Sequence, residues 1–160
     1  MAFLRGLCDT LDDAEDAFQE VWVRVLRANG GVGTHRPTET RAYLVKTARS
    51  VVIDKLRRRK PEVSLDAMMV EEDDGGVIDA ALPNSIPSPA ECYESKATAA
   101  DVRRAIAELP FNWRQVVLMR IEGEMEFKDI AAELDIPLGT ALTWMRRATE
   151  ELKQRLGGER

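Results

Sequence analysis

Two stretches of this chain carry residue types suited to holding nucleic acid. In RAYLVKTARSVVIDKLRRRK, Arg41, Lys46 and Arg49 can neutralise phosphates. Tyr43, Thr47 and Ser50 add a stacking ring and short hydroxyls for bases that have left a duplex. A merely charged amphipathic helix fits the same residues. A membrane-surface helix fits less well, because no large exposed aromatic face accompanies the cations. The second stretch, FKDIAAELDIPLGTALTWMRRATEEL, holds Arg146 and Arg147 where a helix would offer them to a groove. Catalytic chemistry finds no comparable set. The single histidine, His35, sits among prolines and threonines, and Cys8 and Cys92 lie far apart with no CxxC or Cys/His companion. Both cysteines read as unpaired thiols, and no catalytic residue, metal site or cofactor is expected.

The elements that must position these residues are helical. Phe127, Ile130, Ala131 and Leu134 recur at helical spacing until Asp135-Ile136-Pro137-Leu138 interrupts them. The proline disfavours helical geometry at Ile136. Gly139-Thr140 then restarts a helix with Ala141, Leu142, Met145 and Ala148 as its apolar positions. A turn this short makes the helices cross steeply, with Ala131 small enough to let them touch. The second helix is then available for a major groove, although an ordinary αα-hairpin has the same pattern.

Composition divides the chain into three zones. Residues 1–60 carry net charge +4, residues 61–97 net −8 and residues 98–160 net −1, so the overall −5 belongs to the middle. A local basic face binds phosphate whatever the total charge. In the first zone, Asp12, Asp13, Glu15 and Asp16 favour a helix N-terminus. Phe18, Val21, Trp22, Val25 and Leu26 follow as an apolar stripe, and Asn29-Gly30-Gly31 ends it. A second helix is expected over Glu39–Arg59, lined by Leu44, Ala48, Val51, Val52 and Leu56. The middle zone, with Pro61, Pro83, Pro87, Pro89 and a Glu71–Asp74 acidic run, reads as a flexible linker. In the last zone, Val102, Ile106 and Leu109 form one stripe closed by Pro110. Trp113, Val116, Val117, Met119 and Ile121 form the next, which Gly123 breaks before the helix-turn-helix. The expected fold is all-α: two small helical domains joined by an acidic linker, the second a four-helix domain. No run approaches the ~18 apolar residues of a membrane span, and MAFLRGLC is too short for a signal peptide.

The helix DDAEDAFQEVWVRVL sets Asp13, Asp16, Gln19 and Glu20 as a polar strip beside Trp22. That strip reads either as a solvated face or as a docking surface for a basic partner helix, with the aromatic ring as anchor.

Taken in order, DDAEDAFQEVWVRVL, RAYLVKTARSVVIDKLRRRK and LPFNWRQVVLMRIEGEMEFKDIAAELDIPLGTALTWMRRATEEL resemble the bacterial RNA polymerase sigma-70 family, specifically its extracytoplasmic-function (ECF) alternative sigma factors. The resemblance covers roughly residues 7–60 and 98–156, with the acidic linker in the expected place. It implies a core-polymerase contact for Asp13, Asp16, Gln19, Glu20 and Trp22, on the β′ clamp helices. It implies that the second helix melts the −10 promoter element and captures flipped bases through Arg41, Tyr43, Lys46, Thr47, Arg49 and Ser50. It places Thr140, Thr143, Trp144, Arg146 and Arg147 on the helix that reads the −35 element. The linker would thread near the polymerase's active-site and RNA-exit channels. The implied partners are core RNA polymerase (β′ clamp helices and β flap), promoter DNA and an anti-sigma factor, in the cytoplasm at the nucleoid.

The chain departs from the family pattern in three places. Ser50 stands where asparagine is frequent, and Leu142 and Trp144 stand where Lys or Arg is more usual. Losing those cations weakens phosphate and guanine contacts, with Trp144 left to pack on a sugar or a thymine methyl. The chain is also about one helix shorter at its start than the pattern, through a late start codon or a trimmed first domain. Two other readings fit part of the pattern: a stand-alone helix-turn-helix regulator, and a sigma-like interaction protein without initiation activity.

Overall fold

The structure is a computed structural model, and it describes residues 1–28, 37–59 and 98–157, the side chains of 37–39 excepted. The expected linker over 61–97, the Asn29-Gly30-Gly31 stop and Cys92 lie outside the described residues. Seven helices and no strand are found among the described residues: α1 (Ala2–Leu7), α2 (Leu11–Arg27), α3 (Pro37–Arg59), α4 (Ala99–Ala107), α5 (Phe111–Ile121), α6 (Phe127–Leu134) and α7 (Leu138–Gly157). The all-α expectation and the four-helix C-terminal domain are both realised. None of these helices is long and apolar enough to cross a membrane.

Local signals account for several helix ends. The Thr10 side chain caps α2 by accepting the Asp13 N–H at 3.1 Å, and Asp12 and Asp13 sit in the favourable first turn. Thr98 and Asp101 form a reciprocal capping box at the start of α4. Pro110 is the N-cap of α5, where its missing N–H costs nothing. At the helix-turn-helix corner, Asp135 takes the left-handed conformation (φ 55°, ψ 47°) and the Ile136 N–H returns to the Ala131 carbonyl at 3.0 Å. That arrangement satisfies carbonyls that α6 would otherwise leave open.

In the front domain, α2 packs on α3 through Ala14, Ala17, Val21 and Val25, facing Val45, Ala48, Val51 and Val52. The expected stripe on α2 is corrected here. Leu26 is 78% exposed and Trp22 40% exposed, because the alanines, being small, draw the helices together on their own side. On α3, Leu44 and Leu56 are only partly buried, and Val45 and Ile53 join the core.

In the C-terminal domain, α5 is the central element. Val116, Val117, Leu118 and Met119 are all buried, and so are the polar Asn112 and Gln115, as befits a helix surrounded by others. Only its end, Ile121, departs from the expected stripe by being exposed. Helix α7 lies across α4, α5 and α6.

Helix α1 has no counterpart among the elements expected from the sequence. Phe3, Leu4 and Leu7 are buried, and α1 touches α2 and α3 on one side and α4 and α5 on the other. It joins the two domains into one continuous apolar cluster. The approach to α5 is close: a Cβ on Gly6 would lie 2.8 Å from a Leu118 methyl.

Candidate nucleic-acid and polymerase interfaces

The acidic strip of α2 is partly engaged by α3. Asp13 accepts both guanidinium N–H groups of Arg59. Hydrogen bonds from Arg59 and Thr10 hold its carboxyl down at about 2. Asp16 has Lys55 at 3.8 Å but keeps 71% of its side chain exposed. Glu20 accepts from Arg24 at 2.7 Å, and Arg24 also reaches Asp54 at 2.9 Å and the Ser50 hydroxyl at 3.4 Å. The Asp54 bond foremost holds the Arg24 guanidinium above its ordinary range. Gln19 and Trp22 are exposed, and Trp22 stands edge-on to Phe18 with centroids 6.0 Å apart. The outward part of the strip is therefore Asp16, Gln19 and Trp22, with Val23 and Leu26 as exposed apolar neighbours.

The basic residues of α3 turn toward the C-terminal domain. Arg41 pairs with Glu124, a residue in the left-handed conformation (φ 52°) in the α5–α6 turn. The preceding Gly123 is required there, because a Cβ would lie 2.6 Å from the Met119 carbonyl oxygen. Lys46 lies 3.6 Å from Glu133 on α6, and Arg49 lies 3.8 Å from the same carboxylate. The Arg49 Nε–H donates to Gln115 Oε1 at 2.7 Å. Arg49 is the most deeply placed of these cations, and burial pushes its guanidinium down while Glu133 opposes the shift. The Thr47 hydroxyl donates to its own helix at the Tyr43 carbonyl (2.8 Å), a back-bond that occupies its proton. Tyr43 is partly buried against the core, and Ser50 is exposed.

On α7 the structure separates residues that the sequence reading groups together. Thr140 and Thr143 are each 8% exposed, and the Thr143 hydroxyl donates to the Gly139 carbonyl at 2.9 Å. Trp144 is 5% exposed and belongs to the core cluster. This corrects the expectation that its ring packs on a sugar or a thymine methyl. The buried stripe is Ala141, Trp144, Met145 and Ala148, at i, i+3, i+4 and i+7, with Trp144 in the place expected for Leu142. Leu138, Gly139 and Arg146 are exposed, and Leu142 and Arg147 half-buried. Leu138, Gly139, Leu142 and Arg146 make one outward face of the first two turns. Leu138 and Gly139 are new to the candidate surface, and the three- and four-residue spacing from Leu142 and Arg146 could have revealed them.

Cys8 is a free thiol, raised to about 11 mainly by burial and then by Asp13. It sits in a partly open recess with Lys55, Arg59 and Arg114.

Comparison with known proteins agrees with this architecture. Residues 1–62 match the family described as Sigma-70 region 2, and residues 99–152 match Sigma-70, region 4. The chain is 30% identical over 145 residues to the ECF RNA polymerase sigma factor SigE of Mycolicibacterium smegmatis, covering 90% of this chain and 52% of that one. It is 26% identical over 144 residues to SigW of Bacillus subtilis, covering 90% and 75% respectively. The chain thus spans about half the length of the first relative and three quarters of the second. Among solved structures, the sigma factor RpoE in complex with the anti-sigma factor NepR from Bartonella quintana is similar in fold. Its TM-score is 0.63 at 20% identity, over 99% of this chain and 90% of that one. With both region families matched in order across an all-helical fold, the chain belongs to the sigma-70 family, among its extracytoplasmic-function sigma factors.

Proposed function

We propose that this chain is an alternative sigma factor. It binds core RNA polymerase and directs promoter-specific initiation, contributing no catalysis of its own and acting at the nucleoid in the cytoplasm. Residues 1–60 form the core-binding and −10 unit, residues 61–97 the linker, and residues 98–160 the −35 unit. The observation that carries this reading is the succession of region 2 and region 4 matches on two helical units, the second ending in a helix-turn-helix.

Each unit has a surface that fits its proposed task. Asp16, Gln19 and Trp22 offer carboxylate, amide and an exposed ring to a basic helix such as those of the β′ clamp. The outward face of α7 presents Arg146, with Arg147 beside it, to a duplex groove. Thr140 and Thr143 border that face, while Trp144 supports it from the core. Arg41, Tyr43, Lys46, Thr47, Arg49 and Ser50 remain the proposed strand-capturing set on α3. Region 4 is also proposed to meet the β flap. An anti-sigma partner is proposed from the fold-similar Bartonella chain, which was solved with one.

The test is run-off transcription. Purified core polymerase with this chain should start RNA at a cognate promoter, and a chain carrying Asp16→Ala and Gln19→Ala should neither co-purify with core nor program it. Promoter binding without any core-dependent transcript would overturn the assignment in favour of a stand-alone regulator.

A further inference from the structure

The outward row of α7 is apolar where a groove-reading helix begins. Leu138 and Leu142 stand one turn apart on it, Leu138 48% exposed and Leu142 half-buried, with the exposed Arg146 one turn further on. The polar side chains of the same two turns are withdrawn. Thr140 and Thr143 are each 8% exposed, and the Thr143 hydroxyl gives its proton to the Gly139 carbonyl. The second helix of a helix-turn-helix meets base edges with its N-terminal residues. What α7 holds out there carries neither donor nor acceptor. Among the groups that line a major groove, the methyl of thymine is the apolar one. We propose that Leu138 and Leu142 make α7 a reader of thymine methyl groups, so that thymine is required at the positions these leucines meet in the duplex element this chain selects. The proposal deepens the functional reading above and rests on α7 being the duplex-reading helix.

The same residues disfavour guanine. Its two major-groove acceptors call for a cation or another donor, and against Leu142 they would lose water and gain no partner. Discrimination thus has an attractive half, the methyl contact, and a repulsive half, the stranded acceptors. The spacing serves more than one base pair, because four residues of helix advance about 6 Å, close to two base-pair steps. Gly139 lies one turn before Leu142, and packing does not ask for a glycine there, since a Cβ would meet nothing within 4 Å. Its bare backbone lets the groove edge come close to the leucine beside it. Arg146 and Arg147 follow the leucines along the helix, and they favour a polyanion over a protein's apolar surface as the occupant of this face.

The test uses holoenzyme assembled from core polymerase and the full chain, with a randomised duplex library for selection. The enriched duplex is then remade with each thymine in turn replaced by deoxyuridine, which removes only the methyl group. One or two of these replacements should weaken wild-type binding about three- to tenfold in fluorescence anisotropy. Changing the DNA rather than the protein keeps this reading independent of whether a leucine variant folds. The penalty should vanish with Leu142→Ala and, at the neighbouring thymine, with Leu138→Ala, whereas Leu142→Arg should enrich guanine in place of thymine. A wild-type holoenzyme indifferent to every deoxyuridine would overturn the methyl contact. So would penalties that persist undiminished in both alanine variants, whose leucines would then serve a protein partner. A library left unenriched, or an enriched sequence unchanged by Leu138→Ala, Leu142→Ala and Arg146→Ala together, would instead overturn the duplex-reading role of α7, and the methyl contact with it.

Discussion

Helices α3 and α7 both carry cations proposed to meet DNA, but those cations have opposite surroundings. On α3 the cations Arg41, Lys46 and Arg49 are engaged by carboxylates and an amide of the C-terminal domain. On α7 the face formed by Leu138, Gly139, Leu142 and Arg146 looks away from the core, which the helix meets through Ala141, Trp144, Met145 and Ala148. A duplex can reach the second helix in the arrangement described. The corresponding cations of the first face the C-terminal domain.

Trp144 puts this contrast to its most severe test. As a core ring it should cost about 3–5 kcal/mol of stability when replaced by alanine, read by urea unfolding of the full chain. Wild-type stability with weakened promoter binding would return Trp144 to the DNA face. A smaller effect is expected at Arg146. Arg146→Ala should weaken duplex binding in gel-shift titrations by about 1–3 kcal/mol if it contacts a base. If it contacts phosphate, the loss should be uniform across sequences. Arg147→Ala should follow the same rule, and no loss with any promoter from either change would remove α7 as the reader. Arg49→Ala should leave duplex affinity of the isolated chain unchanged, so a loss comparable to that of Arg146→Ala would erase the distinction between the two helices.

The smallest expected effect is a pH response in the front domain. The Asp13 carboxyl is lowered in the folded chain from 3.8 to about 2 by Arg59 and Thr10. Folding therefore favours its ionised form. The contribution is fully present above about pH 4 and is lost as pH falls toward 2. Thermal unfolding followed across that window should decline less steeply for Asp13→Asn than for the wild type. Parallel curves would mean that the Arg59 contact does not tie α2 to α3.

Much of this architecture can be read from the residues. The break at Asp135-Ile136-Pro137 and the Pro110 boundary express local rules, and the helices follow them, whereas the α2 and α3 stripes are followed only in part. Two features escape for separate physical reasons. Helix α1 is six residues long, too short for a 3.6-residue period to show, and only tertiary contact with α2, α3, α4 and α5 gives it a reason to form. Trp144 is legible in principle, because it stands three residues after Ala141 and four before Ala148, both of them fully buried. Its ring reads as a surface group only while Leu142 is given the buried place. The pairing of α3 with Glu124, Glu133 and Gln115 is out of reach of any local pattern, because it depends on how two domains meet.

The close fit of α1 on α5 also governs how the two halves respond to temperature. Phe3, Leu4 and Leu7 are at most 5% exposed, and Leu118 across from them 4%. Separating that contact would hydrate apolar surface, and hydrating apolar surface raises heat capacity. Cooling weakens such contacts, whereas the ionic contacts of α3 respond chiefly to salt. One molecule thus joins its halves by two fastenings with different sensitivities, one thermal and one ionic, and calorimetry at two salt concentrations can tell them apart.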